Sequence, residues 1–65
     1  MPPPKVRDVI RRLEQDGWTL VRMRGTHRQY RHPDYPDVVT VPGHPNKVLA
    51  PGTWRAIVRK AGWNE

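Results

Sequence analysis

Residues 24–33, Arg-Gly-Thr-His-Arg-Gln-Tyr-Arg-His-Pro, set a glycine turn, a hydroxyl and an imidazole into a run of arginines with no carboxylate among them. An imidazole exchanges protons near neutral pH, and guanidinium groups hold phosphate oxygens and offset negative charge that builds up around phosphorus. These residue types suit RNA cleavage. The 2′-hydroxyl of RNA is an internal nucleophile, so one positioned histidine that removes its proton can start the reaction, and neither a metal ion nor a cofactor is called for. DNA lacks that hydroxyl. Residues 17–33 carry Arg22, Arg24, Arg28 and Arg31 with His27 and His32, whereas the acids are Asp8, Glu14, Asp16, Asp34, Asp37 and Glu65. The formal net charge of +6 draws the chain toward polyanions, although charge alone does not choose among nucleic acid, an anionic membrane and an acidic protein.

The elements that position these groups follow from apolar spacing. Val6, Val9, Ile10 and Leu13 share one stripe of a helix expected over residues 5–16, and Gly17-Trp18 supplies a left-handed stop with an apolar residue folding back on Leu13. Trp54, Ile57, Val58 and Ala61 repeat the spacing after Pro51, and Gly62-Trp63 repeats the stop. Between the helices, residues 18–23, 27–32 and 38–41 are short β-branched or aromatic segments that read as strands. Gly25 is expected to close a tight hairpin between the first two, and residues 32–37 to form a longer, proline-stiffened connection to the third. The order is α-β-β-β-α, an α+β fold in which a three-stranded antiparallel sheet is covered on one face by both helices and open to solvent on the other.

Strand alternation then sorts the candidates. Tyr30 is the largest apolar body of its strand and is expected to face the helices with Arg28 and His32, which leaves His27, Gln29 and Arg31 on the open face. Arg22, Arg24 and Arg31 are candidates to hold a ribose-phosphate backbone, Gly25 and Thr26 to shape the turn beside it, and Gln29, His44 and Lys47 to add contacts. His32, ahead of Pro33, reads as a hydrogen-bonded turn residue. Arg28 has the parity to cover the sheet edge instead. The helix cations Arg7, Arg11, Arg12, Arg55, Arg59 and Lys60 read as ordinary solvated charge, and the three tryptophans as core. A metal site built from the three histidines is not expected, since His27 and His32 fall on opposite faces and no close-spaced ligand motif exists.

At 65 residues the chain is expected to be a single domain with a thin core, since such a chain buries only about 60% of its unfolded surface. It has no cysteine, which excludes a disulfide framework and thiolate zinc ligation. No apolar run approaches the roughly 20 residues needed to span a bilayer, and residues 1–4 read as a short proline-rich tail rather than a leader, so no membrane role and a cytoplasmic location are expected.

These residues resemble the HicA-type mRNA interferase toxins. The resemblance covers nearly the whole chain: Val9-Ile10 through Glu14 with Gly17-Trp18, Val21-Arg22, Gly25-Thr26-His27, Tyr30 with His32-Pro33, Val39-Thr40-Val41-Pro42, His44, Leu49, and Gly52-Thr53 to Ala61-Gly62. Thr26 stands where serine is commoner in the family's Gly-Ser/Thr-His motif, and Pro2-Pro3-Pro4 stand in place of the usual Ser/Thr cap of the first helix. The resemblance implies a fold similar to double-stranded-RNA-binding domains and the toxin of a type II toxin-antitoxin system that cleaves mRNA. It also implies that His27 is the catalytic residue and that a HicB-type antitoxin neutralises the protein. Two other readings explain the same fold and charge: a non-catalytic RNA-binding module, and a former toxin that survives as a protein-interaction partner.

Overall fold

The computed structural model describes residues 2–63; Met1, the first residue of the expected proline-rich tail, lies outside them, as do Asn64 and Glu65. Both helices form where the apolar spacing puts them. Helix α1 spans Val6–Gln15 and buries Val6, Val9 and Leu13, with Ile10 packed beside them. Its end is a Schellman motif: the Trp18 amide donates to the Leu13 carbonyl at 2.9 Å and the Gly17 amide to that of Glu14 at 3.2 Å. The last helix, Pro51–Ala61, closes in the same way, with the Trp63 amide on the Val58 carbonyl at 2.9 Å and Gly62 left-handed at φ 75°. Only glycine suits that position, because a Cβ there would lie 2.6 Å from Tyr35 Cε2.

Strands β1 (Thr19–Arg24), β2 (His27–His32) and β3 (Tyr35–Val41) form an antiparallel sheet in the order β1-β2-β3, and Pro51–Ala61 is α2. The first hairpin is tight, as expected, and because β1 runs one residue further than its apolar pattern, to Arg24, its turn is Gly25-Thr26 alone. The second differs from expectation: β3 begins at Tyr35, so β2 and β3 are joined by Pro33-Asp34 alone, and Pro36 lies inside a strand. A proline is tolerated there because β3 is an edge strand, and the cost shows as a register irregularity between the Tyr30–Val39 and His32–Tyr35 pairs.

Tyr30 and its partner Val39, with Val41, Leu49, Ile57, Ala61, Trp18 and Trp63, complete the core begun by α1. Burying each such aliphatic or aromatic side chain contributes roughly 1.5–3 kcal/mol. The helix layer lies over β3, and every residue of β1 is exposed.

The proline tail is not free of the fold. The Leu49 amide donates to the Pro4 carbonyl at 3.0 Å, and Lys5 bridges to Val48. No side chain caps α1; instead its first amides are satisfied by the 42–50 link, with Val6 donating to the Lys47 carbonyl at 2.8 Å and Arg7 to that of Pro45 at 2.9 Å. No helix among the described residues is long and apolar enough to cross a membrane.

Candidate functional site

The Gly25-Thr26 turn sets the direction of His27. Gly25 has φ 56° and no other residue of the turn is left-handed, the pattern of a two-residue hairpin with positive φ only at its first position. Open space surrounds it, since a Cβ built at Gly25 meets nothing within 4 Å. The turn is braced from behind by Arg28, whose Nη1 donates to the Gly43 carbonyl at 2.9 Å and to the Thr26 carbonyl at 3.3 Å. Arg28 therefore does not cover the sheet edge, as its parity had suggested; it ties the hairpin to the segment that follows β3.

Alternation works as expected in β2. Tyr30 is buried and His32 packs on the helix side, whereas His27 is exposed and forms no hydrogen bond or ion pair. Arg24 pairs directly with His27, Arg22 with Gln29, and Gln29 in turn with Thr40, which puts these side chains on the open face. Arg31, opposite Thr19, lies toward the other end of that face. Arg22, Arg24 and Arg31 are all exposed, none is tied up in a hydrogen bond or ion pair, and neither β1 nor β2 contains a carboxylate.

The structure adds a wall that reading along the chain missed. His27 lines a cavity of about 360 Å³ with Thr40 and Pro42 at the end of β3 and with Gly52, Thr53, Ala56 and Lys60 along α2; Val39 and Ile57 form its floor. Lys60 read as solvated helix charge, yet it borders the same cavity as His27. The first turn of α2 also differs from that of α1. Like α1 it has no side-chain cap, but unlike α1, which has Asp8, it carries no acidic residue, and Pro51 fills its first position. The Trp54 amide donates to the Ala50 carbonyl at 2.9 Å, while the amides of Gly52 and Thr53 make no hydrogen bond. A helix end of this kind carries partial positive charge and donors ready for an anion. The one local signal in the sequence was Pro51-Gly52-Thr53 without a following Asp or Glu.

His44 and Lys47 are not brought to this cavity. Both are exposed on the link, where the Lys47 amide donates to the His44 carbonyl at 3.0 Å and the Lys47 carbonyl serves α1. His32 is held at the far end of β2. The Asp34 amide donates to its Nδ1 at 3.0 Å, which leaves Nε2 as the donor to the Asp16 carbonyl at 2.9 Å. Its ring packs against Trp18 and Tyr35, with centroids 5.3 and 5.1 Å away. Of the titratable groups, Tyr30 is shifted upward from its ordinary value, first by burial and then by the nearby Glu14 carboxylate, with Arg28 opposing.

Fold and cavity together define a small, basic α+β protein that presents a histidine between an uncovered sheet face and the first turn of a helix. The chain matches the HicA toxin family, described as "HicA toxin of bacterial toxin-antitoxin", over residues 6–63, and it belongs to that family. It is thus a toxin-antitoxin component, and membership implies an antitoxin partner. No curated protein matches the chain.

Proposed function

We propose that this protein is the toxin of a type II pair and an endoribonuclease that cuts mRNA without a metal ion, held in check by a HicB-type antitoxin. The observation that carries the reading is the placement of His27: an exposed imidazole with no partner in the protein, in one cavity with Lys60 and the uncapped first turn of α2. In this reading His27 removes the 2′-hydroxyl proton. The 2′-oxygen attacks the adjacent phosphorus, the bond to the 5′-oxygen breaks as that oxygen takes a proton from water, and the protonated His27 returns its proton to solvent, giving a 2′,3′-cyclic phosphate and a 5′-hydroxyl. Lys60 and the amides of Gly52 and Thr53 offset the charge that builds up on the phosphorane. Arg22, Arg24 and Arg31, with Gln29, hold the chain on either side across the open face, and the space around Gly25-Thr26 admits its backbone. mRNA as substrate places the activity in the cytoplasm.

The test is to incubate the purified chain in EDTA with labelled RNA, with the same RNA carrying deoxyribose at the cut position, and with DNA of the same sequence. Cleavage of the first alone is expected. Persistent cleavage at the deoxyribose would remove the 2′-hydroxyl from the mechanism, and binding without cleavage of any of the three would make the protein an RNA-binding module.

A further inference from the structure

Among the described residues five large apolar side chains are exposed, and three of them lie in β1: Leu20 at 47%, Val21 at 52% and Met23 at 51% exposure. Leu20 pairs with Tyr30 and Met23 with Arg28, so both point to the helix side of the sheet, where the helix layer over β3 leaves them uncovered. Val21 is the extra residue of the irregularity between Leu20 and Arg22. The outer edge of β1 pairs with no strand among the described residues. Natural proteins usually protect such an edge, and the opposite edge of this sheet is protected, by Pro36 within β3 and by α2 packed against that strand.

Charge says what fits. Arg22 and Arg24 face the open side of β1, no acid lies on β1 or β2, and the whole chain is at +6. A second copy adding its own β1 would set arginines against arginines, which cross-strand pairing disfavours. A strand whose side chains alternate between carboxylates toward Arg22 and Arg24 and aliphatics toward Leu20 and Met23 satisfies both faces while its backbone completes the ladder. We propose that the outer edge of β1 is the docking edge for an added strand of an acidic partner protein, the antitoxin that family membership implies. This rests on the toxin-antitoxin membership and not on the nuclease chemistry.

The probe is a ten-residue peptide alternating glutamate and valine, titrated into the isotope-labelled chain and followed through its amide resonances and hydrogen exchange. The proposal expects shifts and new protection centred on β1. It also expects at least a tenfold loss of affinity in the Leu20→Lys, Met23→Lys double variant, whose changes fall on exposed positions that folding does not need, and a comparable loss when lysine replaces glutamate in the peptide. No binding, binding centred on α2, or equal binding by the double variant overturns it. So does concentration-dependent self-association of the wild type that the double variant abolishes, since the occupant is then a second copy. If the double variant loses RNA cleavage while peptide binding is intact, the edge belongs to the nuclease and the docking proposal fails. If peptide binding behaves as expected and no RNA is cut, the nuclease reading fails alone.

Discussion

The two histidines that open and close β2 sit in opposite circumstances. At the far end, His32 has both ring nitrogens in hydrogen bonds and its ring packed against the stacked pair Trp18 and Tyr35, while Trp63 Nε1 donates to Asp16 Oδ2 at 2.6 Å beside it. At the near end, His27 has no partner and faces a cavity bordered by Lys60 and an uncapped helix end. A side chain whose polar atoms are all satisfied contributes to stability, whereas one left free over a basic cavity contributes little to the fold and is available to a ligand. The same division separates the helix ends: the first amides of α1 are spent on link carbonyls, and those of Gly52 and Thr53 are not.

The contrast breaks or sharpens through substitutions. The largest expected effect is that of His27→Ala, which should lower the rate of RNA cleavage by about 10²- to 10⁴-fold and leave the urea midpoint where it was. Next, Lys60→Ala should slow cleavage on the order of 10²-fold, with Lys60→Arg retaining most of the rate; an unchanged rate for the alanine variant would show that the α2 wall takes no part. Turning to the stabilising end, Gly62→Ala forces a left-handed alanine whose Cβ crowds Tyr35, and denaturant unfolding should register a loss of roughly 2 kcal/mol. His32→Ala should cost about 1–2 kcal/mol through its lost hydrogen bonds while activity per folded molecule persists, the reverse of the His27 signature.

The smallest effect is one of pH. Tyr30 titrates higher in the folded protein than its ordinary value of 10.0, so above that pH the unfolded chain gives up the proton while the folded chain keeps it. Its contribution is therefore complete below pH 10 and is lost as pH rises through the folded value. Midpoints measured across that range should fall more steeply for wild type than for Tyr30→Phe.

The fold was legible wherever one local rule decided it. The spacing of Val6, Val9, Ile10 and Leu13 and the two Gly-Trp stops specify helices and their ends, because periodicity and a left-handed stop depend only on near neighbours. Alternation around Tyr30 likewise put His27 on the open side. The start of β3 was not legible, since Pro36 reads as a strand breaker until it is known to lie on an edge. Half of the site was hidden for a similar reason. Arg22, Arg24 and Gln29 are close to His27 in sequence, but Thr53 and Lys60 reach it only because α2 packs against β3, and a lysine on an amphipathic helix looks the same whether it meets solvent or a cavity.

The most direct test of an imidazole working at the open end of β2 is chemical rescue of His27→Gly. Labelled RNA should stay intact with the folded variant alone and be cut at the wild-type bond when free imidazole is added, in proportion to its unprotonated fraction. Cutting at the wild-type rate with no imidazole present would contradict the account.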